Sequence, residues 1–236
     1  MLSARAMSDD ARPMRTFGRI KGRALRAGRA QLMQDRLPEL ALDLSAGPLD
    51  VQALMPGARE LWVEIGFGGG EHLAGQAALH PDVLILGAEP FVDGQAKLLS
   101  QVEREGLANV RVHPGDAREL LAALPDAAAE RVFVLFPDPW PKARHHKRRL
   151  IQPDVVAELA RVLEPGGRLR FATDWKDYAD WALERILRSG LFDWPAERAD
   201  DWRRPPADHL TTRYESKQLG DCAPVFLDFV RQRTPR

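Results

Sequence analysis

The stretch Glu60-Leu61-Trp62-Val63-Glu64-Ile65-Gly66-Phe67-Gly68-Gly69-Gly70 decides the fold. Its first six residues are a short, mainly apolar run ending at glycine, which reads as a buried strand of a parallel sheet. Gly66 to Gly70 make a turn, and Glu71 to Leu79 read as a helix. A strand, a glycine turn and a helix in that order form a nucleotide-binding corner. Glycines let a ligand approach the backbone, and the helix start offers free amide donors. The dinucleotide pattern G-x-G-x-x-G fits Gly66 and Gly68 but requires a third glycine where Glu71 stands, so it fails. The pattern that fits is E-x-G-x-G-x-G, at Glu64, Gly66, Gly68 and Gly70.

Outward from this corner, Val83 to Glu89 reads as a second buried strand ending in an acid. An acid about 20 residues past the glycine turn is placed to accept both hydroxyls of a ribose. Glu89 meets that condition, and it also precedes a Phe91–Glu105 helix, whose N-terminus favours negative charge. Val110 to His113 reads as a third strand, followed by Gly115-Asp116-Ala117. Asp116 can accept an adenine amino group or cap the next helix. Acids at three successive strand ends, around one glycine turn, favour a cofactor site for all three.

The run from Arg131 to Arg149 supplies the rest of the site. Val132-Phe133-Val134-Leu135-Phe136 reads as a buried strand, stopped by Pro137-Asp138-Pro139-Trp140-Pro141-Lys142. Three prolines fix three φ angles and remove three backbone donors, so this loop is stiff and cannot continue a sheet. A carboxylate, an indole and an ammonium are held at the carboxyl end of a strand, where open α/β sheets bind ligands. Arg144, His145, His146, Lys147, Arg148 and Arg149 follow, with no acid between Lys142 and Arg149. A stiff acidic-aromatic loop beside a dense cationic arm points to a site that handles a polyanion. Trp140 has two readings, a stack on an unpaired base or an indole packed in the core.

Beyond it, Pro153 to Leu163 reads as a helix broken at Glu164-Pro165-Gly166-Gly167. Arg168 to Thr173 is a fifth strand ending at Asp174-Trp175. Lys176 to Ser189 is a helix with Tyr178, Trp181, Leu183, Ile186 and Leu187 as its core positions. Asp193 to Pro206 reads as loop, and Thr211-Thr212-Arg213-Tyr214-Glu215 as a polar block. Val225 to Val230 is a last strand, antiparallel at or near the sheet edge. Alternating strands and helices argue a doubly wound α/β sheet.

The chain has 236 residues with 44% hydrophobic content, enough for one large domain with a sizeable core. Lys+Arg and Asp+Glu both number 34, so net charge singles out no partner, whereas the distribution does. Arg12, Arg15, Arg19, Lys21, Arg23, Arg26 and Arg29 follow one another without an acid and form a second basic patch. Residues 1–35 therefore read as a basic flexible arm with one short helix, and 36–236 as the folded domain. Leu37 to Pro56 reads as a packed irregular lead-in. The single Cys222 cannot form an internal disulfide, which fits a reducing compartment. No apolar run is long enough to span a membrane.

The glycine motif resembles the first motif of Rossmann-like methyltransferases, which bind S-adenosylmethionine. Added to Phe136-Pro-Asp-Pro-Trp-Pro-Lys142, the Arg144–Arg149 arm, Ala172-Thr-Asp-Trp175 and Thr212-Arg-Tyr-Glu215, it resembles the tRNA (guanine-N(7)-)-methyltransferase family from about Arg15 to Phe229. The proline-rich motif is the specific one; the glycine motif alone gives only the superfamily. The resemblance implies that 36–236 is a class I methyltransferase domain, with a Rossmann-like, mostly parallel seven-stranded sheet and an antiparallel late strand. It implies methyl transfer from S-adenosylmethionine to nitrogen 7 of a guanine at position 46, in the tRNA variable region. Carried over residue by residue, it sets Glu64, Gly66, Gly68, Gly70, Glu89, Asp116 and Asp138 around the cofactor, with Asp138 the catalytic residue and no metal. It turns Lys142, Asp174, Thr212, Arg213, Tyr214 and Glu215 toward substrate and Arg144, His145, His146, Lys147, Arg148 and Arg149 toward RNA. A cytoplasmic monomer or homodimer acting on tRNA is the expectation. Two other classes compete: a methyltransferase of this fold acting on a protein or small molecule, and an RNA-binding module without catalysis.

Overall fold

A computed structural model describes Gly18, Ile20, Gly22, residues 24–45 and residues 47–233. Arg12, Arg15, Arg19, Lys21 and Arg23 of the expected basic arm lie outside the described residues. Three short helices lead in: α1 (Ala27–Asp35), α2 (Leu37–Leu40) and α3 (Val51–Leu54). The alternating part follows as β1 (Glu60–Ile65), α4 (Glu71–Leu79), β2 (Val83–Ala88), α5 (Val92–Glu105), β3 (Val110–His113), α6 (Ala117–Ala123) and β4 (Ala129–Leu135). After a 3-10 turn at Ala143–Arg148 come α7 (Pro153–Val162), β5 (Leu163–Thr173), α8 (Lys176–Arg188), β6 (Phe192–Asp193), α9 (Asp200–Arg203), a second 3-10 turn at Glu215–Lys217 and β7 (Val225–Arg231).

The seven strands form one sheet in the order β3-β2-β1-β4-β5-β7-β6. β1 pairs in parallel with both β2 and β4, β5 continues the parallel set, and β7 is antiparallel to β5 and β6. Alternate strand residues go to opposite faces. Val63, Ile65, Val132, Val134, Leu169 and Phe171 pack under α6, α7 and α8. Trp62, Ile85, Val112, Phe133 and Ala172 pack under α4 and α5. The doubly wound sheet with one late antiparallel strand is thus present, and β7 is kept off the edge by the two-residue β6.

Some elements depart from the sequence reading. The lead-in is partly helical, with Asp50 capping α3 by accepting from Ala53 N–H at 3.1 Å. β5 begins at Leu163 and passes through Pro165-Gly166-Gly167 with a register shift opposite Ala129/Arg131. The helix ends before this segment as expected, but the strand starts earlier than Arg168: Gly166 adopts φ 94°, a Cβ on Gly167 would lie 3.0 Å from the Glu130 carbonyl, and the glycine pair makes a bulge within the strand. On α8, Tyr178, Ala182 and Ile186 form the buried stripe at four-residue spacing, while Leu187 is turned outward and is 40% exposed. No helix among the described residues is long and apolar enough to cross a membrane.

The face over β4, β5 and β7 carries charge. Arg170 binds the Asp228 carboxylate with Nε and Nη2 at 2.7 and 3.0 Å, and donates through Nη1 to Asp208 at 2.9 Å. Arg131 also donates to Asp208, at 2.8 Å. The segment after α9 is therefore fastened onto the sheet by ion pairs rather than by a helix.

Phe171 is fully buried and meets Tyr178 edge-on at 5.2 Å. Phe171→Ala should destabilise the protein by about 3–5 kcal/mol, and Leu187→Ala by no more than about 0.5 kcal/mol. Urea unfolding of both variants checks this orientation of α8 through the difference between them.

Candidate active site

β1 to β5 all point their carboxyl ends the same way, so the acids at the ends of β1 to β4 converge on one cavity of about 660 Å³. Gly66, Gly68 and Gly70 take φ values of 71°, 54° and 79°, a region closed to most side chains. The Glu64 carboxylate on the cavity wall is held from behind by His72 of α4, Nδ1 to Oε2 at 2.7 Å. The Glu89 oxygens accept the Gly68 and Phe91 amides at 2.8 and 2.9 Å. Burial raises the Glu89 carboxyl above its usual range, and those two amides hold the rise back. Asp116 lines the same cavity and caps α6, accepting Arg118 N–H at 3.0 Å and Arg118 Nη2 at 2.7 Å. The structure therefore realises the cap reading of Asp116 at a cavity-lining position.

The 136–142 loop closes the cavity from the β4 side. Phe136 donates its N–H to Ala172 O at 2.8 Å, then the chain turns through positive φ at Phe136 (51°) and Trp140 (44°). Asp138 stands between these two residues on the cavity wall. It remains accessible to solvent, yet the surrounding walls desolvate its carboxyl and raise it above the ordinary range. Trp140 also lines the cavity and carries the Arg148 guanidinium 4.9 Å over its ring.

The basic run is not a uniform face. Lys142, Arg144 and Lys147 are exposed, and Lys147 and Arg148 line the cavity. Partial desolvation, then the charges of Arg148, Arg144 and Lys142, lower the His145 imidazole. His146 turns inward to Asp177 at 3.4 Å and to the Trp181 ring at 5.2 Å. Arg149 is the inward member of the run: its side chain is 1% exposed and pairs with Asp177, while the residue still contributes to the cavity wall.

The polar block also divides. Thr212 Oγ1 accepts the Glu215 N–H at 3.2 Å, while Glu215 Oε2 accepts the Thr212 N–H at 3.4 Å. This is a reciprocal capping box. His209, 2% exposed, holds the same Glu215 oxygen at 2.8 Å. The cap leaves Arg213 and Tyr214 projecting at the cavity wall, with Tyr214 5.7 Å from the Phe136 ring. Asp174 does not reach the wall. It is 3% exposed beneath Gly220; burial raises its carboxyl, and the backbone amides of Asp174 and Gly220 hold the rise back.

Sequence reasoning missed His72, Arg118, Asp208 and His209. The T-x-x-E spacing at Thr212 and Glu215 was a readable cap signal. The histidines carry no local signal, because their partners are supplied by the fold.

A protein-family model described as "Putative methyltransferase" matches residues 58–226. The tRNA (guanine-N(7)-)-methyltransferase of Caulobacter sp. (strain K31) is 56% identical over 219 residues, 93% of this chain and 96% of that protein. That of Hyphomonas neptunium is 55% identical over 216 residues, covering 92% and 99%. A crystal structure of a variant 16S rRNA (adenine(1408)-N(1))-methyltransferase from Catenulisporales acidiphilia, with cosubstrate SAM, superposes with a TM-score of 0.54. It is 19% identical and covers 83% of this chain and 93% of its own, a likeness of fold.

The raised carboxyl of Asp138 fixes the sign of a stability effect. A carboxyl raised on folding contributes stability that is present below its unfolded pKa and lost as pH rises through the folded value. At pH 7 the ionised Asp138 is therefore a net cost. Asp138→Asn should melt at or above the wild type at pH 7, and the advantage should vanish below about pH 4. Calorimetry at both pH values checks this; a lower melting temperature at pH 7 would mean that Asp138 instead braces the turn.

Proposed function

Because the chain belongs to the tRNA (guanine-N(7)-)-methyltransferase family, we propose that it methylates nitrogen 7 of the guanine at position 46, in the variable region of tRNA. The observation that carries this reading is Asp138, fixed between prolines on an acid-lined cavity wall where the exposed cations Lys142, Arg144 and Lys147 begin. The donor would be S-adenosylmethionine, and the residues fit it. Glu89 keeps lone pairs free beyond its two amide contacts, enough for the two hydroxyls of a ribose. Glu64, Glu89, Asp116 and Asp138 set carboxylates on the cavity wall at the strand ends, which suits a sulfonium and an ammonium. S-adenosylmethionine, when bound, supplies a methyl group on a positively charged sulfur.

Nitrogen 7 of guanine has a lone pair and no proton, so the protein needs no strong base. Its tasks are alignment and charge. Arg213 and Tyr214, presented by the capping box, face the space where a base would enter. The Asp138 carboxylate opposes the positive charge arriving on the base, and its prolines keep it in place beforehand, so little reorganisation accompanies transfer. Lys142, Arg144 and Lys147 would hold phosphates along the approach, and a tRNA substrate sets the enzyme in the cytoplasm.

Mass spectrometry of unmodified tRNA, after incubation with protein and S-adenosylmethionine, should find 7-methylguanine at position 46 alone. Product on protein, or at another nucleotide, would overturn the reading. Asp138→Asn should lower single-turnover transfer by roughly 10²–10³ while tRNA binding persists; near wild-type rates would remove the catalytic role.

Salt supplies an independent test of the RNA path. Replacing Lys142, Arg144 and Lys147 together by alanine should flatten the log–log salt dependence of tRNA affinity, by about 0.7–0.9 for each phosphate that is no longer neutralised. Cofactor affinity should hold. An unchanged slope would remove these three cations from the interface.

A further inference from the structure

We propose that Arg149 is a positioning residue that clamps the Asp138 loop against α8, rather than a ligand of RNA phosphate. The catalytic part rests on the function proposed above; the clamp itself rests on geometry alone. The loop needs a clamp. Phe136 and Trp140 both sit at positive φ, which is unfavourable for an L-residue and persists only where the surroundings over-determine it. The loop supplies little restraint through its own backbone. Pro137, Pro139 and Pro141 have no N–H, and among the described residues one hydrogen bond reaches the backbone of residues 137–141. In that bond Arg149 Nε donates to the carbonyl of Pro139, the residue next to Asp138, at 2.9 Å.

The other side of the guanidinium is anchored to a single helix. Nη2 pairs with Asp177 at the start of α8, and the guanidinium carbon lies 4.9 Å from both the Tyr178 and Trp181 rings. Trp181 is fixed by its own bond to Ile151 O at 2.8 Å. α8 starts just past the end of β5, so the chain from Pro139 through Arg149 to α8 links the loop after β4 to the element after β5. The arrangement is a costly one for stability alone. Among the described residues, Arg149 is a buried cation whose one carboxylate partner is largely exposed, and its Nη1 is buried without a hydrogen-bond partner. Such a position is commonly served as well by an apolar side chain. What an apolar side chain cannot do is direct a donor at the Pro139 carbonyl. Lysine would keep the charge and lose the planar fork that serves both partners.

The test uses the full chain with two substitutions, Arg149→Met and Asp177→Asn. Asp177 is an exposed carboxylate outside the cavity wall, so its variant keeps the test alive if Arg149→Met does not fold. At saturating tRNA, single-turnover transfer should fall 10–100-fold in Arg149→Met, the size of effect expected when a reacting group is misplaced by about 1 Å. Asp177→Asn should lose about 3–10-fold on the same ground. Affinity for tRNA and its salt slope should match the wild type in both. In protein labelled with 5-fluorotryptophan, the Trp140 fluorine resonance, assigned with Trp140→Phe, should be one sharp line in wild type and broadened or split in both variants. A salt slope lowered by about one with an intact saturated rate, or a Trp140 line and a rate both unchanged in Asp177→Asn, overturns the clamp. If the wild type methylates no tRNA, the function proposed above fails, while the fluorine spectrum still decides the clamp.

Discussion

The site depends on one constraint of the sheet: β1 pairs in parallel with β2 on one side and β4 on the other. At that strand the chain reverses its winding direction, and the connections leaving the two sides part to open a crevice. Everything chemical is carried on short segments just past the strand ends, and parallel pairing brings those ends to one edge. Glu64, Glu89, Asp116 and Asp138 are far apart in the chain and become neighbours for this reason alone.

This is also why so much was legible in the sequence. The strands of a buried parallel sheet are nearly continuous apolar runs, so β1, β2 and β3 could be bounded almost to the residue. Glycines and prolines mark the loops between them, and acids at the ends of consecutive runs reveal the crevice. What stayed hidden depends on long-range partners. Arg170 and Asp228 interrupt strand runs as charges, and only the folded sheet shows that they meet each other and Asp208. The basic run from Lys142 to Arg149 looks uniform as sequence. Its division into outward and inward members is set by α8, which supplies Asp177 and Trp181. Leu187 was misread for a related reason: which stripe of a helix is buried is decided by the sheet beneath it, one residue either way.

The site is also where the fold accepts local cost. Asp138 and Glu89 are held above their ordinary range, and two aromatic residues take backbone angles that such side chains avoid. Asp174 buries a carboxyl that burial raises as well. The rest of the chain compensates through a continuous apolar core on both faces of the sheet. Preorganised charge is useful because solvent has been kept away from it, and that exclusion is the source of the cost.

The capping box at Thr212 and Glu215 separates two duties within four consecutive residues. The outer pair, with His209, closes a hydrogen-bonded frame; the inner pair, Arg213 and Tyr214, is carried by that frame without being part of it. A replacement at either inner position changes what the cavity wall presents and leaves the frame's bonds intact. A replacement at either outer position dismantles the frame and displaces both inner residues together. The segment therefore behaves as a holder with an exchangeable tip: what the cavity wall presents can change without the loop having to be rebuilt.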